Sequence, residues 1–196
     1  VTNAPAETSA SDTASTAIWI ALIAGLTVIG SYGYACAAPL AAVAALAALK
    51  MNRRNGAILV GLAWIINQAV GFLLLNYPHT AETYAWGAAI GFGAFAGYFA
   101  ARAAARFDMP ALAGWVVAFL AAFVGYQGGM YLAALTFTNP ASGFTTAVVS
   151  EVFTINAVAY AGFAAIYRVA VALSLLKPLR KSAPATAASG SAAATA

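Results

Sequence analysis

The sequence predicts an all-α membrane protein, a polytopic bundle of six transmembrane helices. Three observations carry that expectation. Of 196 residues, 63% are hydrophobic and 7% charged, against about 25% charged in an ordinary soluble domain, so the chain has too few charges to clothe a soluble globule. Mean hydropathy is +0.85, and apolar runs of spanning length recur along the chain. Lys and Arg gather at the ends of those runs, as topology signals do. The implied organisation is an N-terminal tail (1–16), a transmembrane domain (17–177) and a C-terminal tail (178–196).

The tails bracket the membrane part. Residues 1–16 are rich in Ala, Ser and Thr, carry Glu7 and Asp12, and lack the basic start of a secretory signal. Residues 178–196 are low in complexity and read as disordered. Between them, residues 17–50 would make about 50 Å of helix at 1.5 Å per residue, too long for one comfortable span. Gly30-Ser31-Tyr32-Gly33 interrupts this stretch and Pro39 follows. Two short helices are expected, over 17–30 and 34–50; one kinked helix is the alternative and would leave five spans. Four further spans are plain: 56–77, which stops at Pro78; 83–106; 110–136, which opens on Pro110, a residue suited to a first helical turn; and 143–173. Lys50, Arg53 and Arg54 flank one loop, Arg102 and Arg106 another, and Arg168, Lys177, Arg180 and Lys181 lie at and beyond the end of the last span. The loops 76–82 and 137–142 carry no Lys or Arg. The positive-inside rule then places the basic loops, and with six spans both termini, in the cytoplasm.

Composition also excludes chemistry. Nine Lys and Arg against five Asp and Glu are used up as topology signal, so no nucleic-acid partner is expected. One cysteine, Cys36, excludes a disulfide framework and a Cys-x-x-Cys site. One histidine and no carboxylate cluster exclude the common zinc and di-iron sites, and no metal or cofactor is expected. A phosphate-cradling Gly-x-x-x-x-Gly-Lys-[Ser/Thr] motif is absent, so any uphill transport draws on a partner or an ion gradient.

Polar groups inside spans are expensive and usually face protein. Counted inward from the ends distant from the basic loops, Asn67, Gln68, Gln127 and Glu151 each fall about 12–15 Å deep. Trp64 lies one turn from Asn67 and Gln68, and Tyr126 adjoins Gln127. Trp64, Asn67, Gln68, Tyr126, Gln127 and Glu151 are therefore the candidate substrate-binding set, an apolar and aromatic lining with a few convergent polar groups. Gly125, Gly128 and Gly129 leave room beside Gln127 for a ligand or for a close helix. Each assignment has a plainer counterpart. Asn and Gln also serve as hydrogen-bonding glue between helices. Tyr77, Tyr84, Trp86 and Tyr131 suit an interfacial aromatic belt, and His79 a solvated loop. Asn156 and Tyr160 share a face turned about 100–140° from Glu151 and are as well suited to packing as to ligand contact. Glu151 is the one acid in a span core, where an ionisable group reads as functional. Small residues form stripes at Ala17-x-x-x-Ala21-x-x-x-Gly25, Gly87-x-x-x-Gly91 and Gly93-x-x-x-Gly97, which permit close helix approach.

In architecture the chain resembles the substrate-binding S components of energy-coupling factor (ECF) vitamin transporters: about 20 kDa, six hydrophobic helices, both ends inside, and polar and aromatic groups in the outer half. The resemblance implies capture of a small water-soluble, vitamin-like molecule from outside a bacterial cytoplasmic (inner) membrane. It further implies docking of a transmembrane coupling subunit with its ATPases through Ala17, Ala21 and Gly25, the last departing from the plain Ala pattern. No catalysis is expected. The lipid bilayer is a partner on any reading. The contrasting expectation is a small accessory subunit of a membrane complex, with Ala and Gly faces made for packing and no ligand of its own.

Overall fold

The computed structural model describes residues 38–137 and 143–172, and every regular element among them is helical. The helices are α1 (Leu40–Lys50), α2 (Arg53–Ala69, prolonged by a π-helical turn over Val70–Leu74), α3 (Ala81–Ala104), α4 (Ala111–Ala134) and α5 (Thr146–Ala172). Three stretches are long and apolar enough to cross a membrane: Arg53–Leu74, Ala111–Ala134 and Thr146–Val169. The helix α3 is as long, at 24 residues, but is not among them. The expected first helix over 17–30, and with it Ala17, Ala21, Gly25 and the choice between six spans and five, lies outside the described residues.

The expected 34–50 helix is shorter than predicted, because Ala38 and Pro39 are not helical and α1 opens at Leu40. Proline disfavours helical geometry at the residue before it, so Pro39 fixes the start. Pro110, expected at the first helical position, instead stands at the N-cap of α4, with ψ at 145° outside the helical region. Elsewhere the expected stretches are helical with ends shifted by a few residues, and three of the four, all but 83–106, are apolar enough to span.

The bundle is organised around α1. Every residue from Leu40 to Ala48 is buried to 6% exposure or less, and α1 packs against all four other helices. A helix apolar on every side belongs in an interior, and six alanines among its 11 residues let the neighbours approach from all sides. At about 16 Å it reaches only half the thickness of a bilayer core, so its N-terminus ends inside the bundle. Orphan amides there would be costly. Asn156 of α5, fully buried, meets one of them: its Oδ1 accepts from the Ala42 amide at 3.1 Å, and its Nδ2 donates to the Val152 carbonyl at 2.9 Å.

At its other end α1 turns sharply into α2. Asn52 caps α2 by accepting from the Asn55 amide at 2.8 Å. Arg102 of α3 donates to the Met51 carbonyl and Tyr98 to the Arg53 carbonyl, each at 3.0 Å. The Lys50 ammonium lies over the rings of Trp115 (4.7 Å) and Tyr167 (4.8 Å). Lys50, Arg53 and Arg102 thus meet at one end of the bundle, the basic end. Rings of Phe72, Tyr77, His79, Tyr84, Trp86, Tyr131, Phe137 and Phe144 cluster at the other, the aromatic end.

Two seams of different character join α4 to its neighbours. Between α3 and α4, Gly93 and Gly97 face Gly129 and Gly125. A Cβ on Gly97 would fall 2.5 Å from the Ala122 carbonyl oxygen, and one on Gly125 2.9 Å from the Gly97 Cα. Between α4 and α5 the contact is made by rings: Trp115 and Phe119 on Tyr160, Phe119 and Phe123 on Phe153, Tyr131 on Phe144. The Tyr160 hydroxyl also donates to the Trp115 carbonyl at 3.0 Å.

Three outcomes follow for unfolding measured in detergent. Asn156→Ala removes the interior cap and leaves the Ala42 amide unpaired, which should cost about 1–3 kcal/mol. Gly97→Ala should cost a similar amount, about 1–3 kcal/mol, because the added methyl meets backbone that cannot yield. Gly128→Ala, with nothing within 4 Å of the new carbon, should be neutral or mildly stabilising in the same assay.

Candidate functional site

The seam between α2 and α3 takes up part of the predicted polar set. Trp64 and Gln68, one turn apart on α2, lie over Gly91 and Gly87, one turn apart on antiparallel α3. A Cβ on Gly91 would fall 2.6 Å from the Trp64 indole, and one on Gly87 2.5 Å from the Gln68 Oε1. The Trp64 indole Nε1 donates to the Gly87 carbonyl at 2.8 Å. Trp64 and Gln68 therefore work as large side chains set into glycine notches, and the Gly87-x-x-x-Gly91 stripe finds its purpose inside the protein. Nearer the basic end, Gly56 receives the ring of Tyr98 in the same way.

Next along α2 the hydrogen-bonding pattern loosens into the π-helical turn Val70–Leu74, and the chain leaves through Asn76 at φ 52°. Such turns often occur at functional positions. This one sets Gly71 under the Tyr77 ring and turns Phe72 to the rim. There Phe72 stacks on His79 (5.4 Å) and Tyr84 (5.0 Å), while His79 Nδ1 and the Tyr84 hydroxyl share a hydrogen bond of 2.7 Å. His79 is thus exposed yet tied into a ring cluster. Phe72 was not singled out from the sequence, although it lies one turn beyond Gln68; in a run of apolar residues nothing marks it as different. The partners of Trp86, Phe137 and Phe144, were likewise unmarked.

Asn67 is buried and hydrogen-bonded or otherwise engaged. Tyr126 is also buried, with its backbone carbonyl against Gly93 and its Cβ against Gly97, in the close seam of α3 and α4. Gln127 differs from all of these: its Oε1 is buried and has no hydrogen-bond partner among the described residues. Gly125 and Gly129 beside it serve the close helix, while Gly128 faces open space.

The registers refine the depth argument. Since Gly93 faces Gly129, the notches at Gly91 and Gly87 project onto α4 near Tyr131 and Leu135. Gln127 therefore lies one to two turns, about 6–12 Å, closer to the basic end than Trp64 and Gln68. Residue counting from helix ends missed this offset because the helices end at different heights. The ring contacts of Phe153 with Phe123 and of Phe144 with Tyr131 put Glu151 and Gln127 at nearly the same level. Their facing differs. The buried line of α5 runs through Asn156, Tyr160, Phe163 and Tyr167; Glu151 points away from it, is exposed, and has no hydrogen bond or ion pair among the described residues. The set predicted to line one cavity is thus divided: Trp64 and Gln68 in one seam, Tyr126 in another, Gln127 as an interior acceptor, and Glu151 on the outer surface of α5.

No family model, curated protein or solved structure matches the chain.

The α2–α3 seam yields a clear expectation. Gly87→Ala should displace the Gln68 carboxamide and cost about 1–3 kcal/mol of stability. Trp64→Phe should keep most of the packing, lose the hydrogen bond to the Gly87 carbonyl and cost about 1 kcal/mol. Chemical unfolding followed by tryptophan fluorescence (for Trp64→Phe, by circular dichroism) reads both.

Proposed function

We propose that the protein is an integral membrane solute-capture protein. On this reading it takes a small water-soluble, vitamin-like molecule at its aromatic end, which faces outward, and relies on partner subunits for energy. The observation that carries the reading is the Gln127 Oε1, a buried acceptor without a partner among the described residues. Leaving a buried polar group unpaired costs about 1–3 kcal/mol, so such groups in native proteins ask for an explanation. A ligand N–H or O–H directed at Gln127 removes the cost when the ligand binds, which turns the penalty into affinity. The setting suits a ligand as well. The mouth at the end opposite the basic residues is ringed by aromatic side chains, the composition that small-molecule sites favour.

On the same reading the basic end is cytoplasmic, in a bacterial inner membrane. A coupling subunit with ATPases would supply the energy, docking through Ala17, Ala21 and Gly25. The likeness in architecture to the ECF substrate-binding components supports this arrangement. A second reading, an accessory subunit with no ligand, draws on a different observation: Trp64 and Gln68 are committed to helix packing, and Glu151 faces outward.

Native mass spectrometry of the purified full chain separates the two. Solute capture predicts a bound small molecule at one per chain. Its occupancy should fall roughly tenfold in Gln127→Leu, the factor expected for losing one hydrogen bond to a buried amide, and stay unchanged in Gly128→Ala. A wild-type protein that carries no small molecule, or one whose occupancy ignores Gln127→Leu, favours the accessory reading. Reporter fusions at the termini should place the C-terminus, beyond Arg168, in the cytoplasm; the opposite result removes the outward-facing mouth.

A further inference from the structure

The outward face of α5 carries more order than a lipid-facing surface needs. Ala147, Glu151, Thr154, Val158, Ala161 and Ala165 are all exposed and recur at alternating steps of four and three residues. They form one continuous face of the helix, able to take a second helix at a shallow angle, and this face runs opposite the buried line through Asn156 and Tyr160. Four of the six side chains are Ala or Thr, which allow close approach. Of the three helices apolar enough to span, α5 is also the least covered, with 17% of its most apolar window buried against 33% and 28%.

The acid within this line identifies what covers it. Ser150 and Thr154 satisfy their hydroxyls on the helix itself, donating to the Ala147 carbonyl at 2.9 Å and the Ser150 carbonyl at 2.8 Å. Glu151 has no such outlet. It lies two turns inward from Phe144 of the aromatic end and past the first turn of α5, where the helix dipole no longer helps a carboxylate. An acid at this depth normally pairs. No cation among the described residues meets it, and the one histidine, His79, is engaged with Tyr84 and Phe72 at the rim. Residues 1–49 contain no Lys, Arg or His, and the remaining Lys and Arg lie at 50–54, 102–106 and from 168 onward, of which Arg168 is about 25 Å away along the same helix. A second copy related by an axis normal to the membrane would oppose Glu151 with Glu151, which is repulsive.

We propose that this face of α5 docks a transmembrane helix of another membrane protein, one that presents a single Lys or Arg in the half of the bilayer nearer the aromatic end. The small residues let the two backbones approach, and the Glu151 carboxylate accepts the charged hydrogen bond that fixes depth and partner. The inference holds for either reading of the function and does not depend on a ligand.

A synthetic helix tests it. The labelled full-length protein is placed in phosphatidylcholine–phosphatidylglycerol vesicles with a labelled Leu/Ala single-span peptide that carries one Lys two turns inside its outer end. A matched peptide carries Leu at that position. Energy transfer should report association of the Lys peptide roughly tenfold tighter than that of the Leu peptide, as expected for a charged hydrogen bond. Glu151→Gln, isosteric and on an exposed position, should abolish the preference. Ala161→Leu should weaken association with both peptides, and Ala165→Leu serves in its place if that variant does not fold. Equal association of the two peptides, or a preference that survives Glu151→Gln, overturns the proposal. So does energy transfer between copies of the protein that Ala161→Leu removes while neither peptide is recruited, which assigns the face to a second copy.

Discussion

A hydrogen bond between the Asn156 side chain and the Ala42 amide joins residues 114 positions apart, and the architecture depends on it. A helix that ends inside a membrane bundle exposes the backbone donors of its first turn to a medium without water. Asn156 is suited to the task because its carboxamide both accepts from Ala42 and donates to its own helix at Val152, so neither end of the amide is left idle. With that amide satisfied, α1 can sit in the middle of the protein, and the four longer helices can be arranged around it. The basic end answers with its own fixings, since Arg102 and Tyr98 hold carbonyls of the α1–α2 corner and Lys50 rests between two rings. The short helix is held at both ends by groups from α3, α4 and α5.

Around this axis the protein uses one device repeatedly: a glycine on one helix admits something large from the next. Tyr98 enters at Gly56, Trp64 at Gly91 and Gln68 at Gly87. Dispersion forces and interhelical hydrogen bonds, rather than exclusion of water, hold helices together in lipid, so close fit carries the stability. It also explains why polar side chains that suit a binding site can be committed to structure. Gln68 is positioned by a notch, and Trp64 satisfies its N–H on the Gly87 carbonyl. Gln127 stands apart because its acceptor has no counterpart among the described residues.

Much of the helical layout was legible in the sequence. Apolar runs marked the long helices, Pro110 marked where one of them begins, and the clustered Lys and Arg marked one end; Pro39, expected within a helix over 34–50, instead sets the start of α1. Facing was not legible. A soluble helix announces its buried side by its polar side, whereas α4 is apolar nearly all round, so Phe119 and Leu120 look alike although one is buried and the other exposed. Relative height was also hidden. Trp64 and Gln127 gain a common scale only when Gly91 and Gly93 of α3 are seen to serve different neighbours. Glu151 was conspicuous as an intramembrane acid, but the side of α5 on which it lies depends on which residues pack inward. Asn156 and Tyr160, equally compatible with packing and with ligand contact by pattern, turn out to be the ones that do.

The two seams of α4 have unequal mechanics. Against α3 the contact is backbone on backbone, with Gly97 beneath the Ala122 carbonyl and Gly125 beside Gly97. Any sliding there drives main-chain atoms into one another, so α3 and α4 behave as a single stiff plate. Against α5 the contact is a stack of rings, whose side chains can follow a small shift by rotating about their own bonds. Of the two neighbours of α4, α5 is therefore the more adjustable, held to α4 by the Tyr160 hydroxyl on the Trp115 carbonyl and to the buried start of α1 by Asn156.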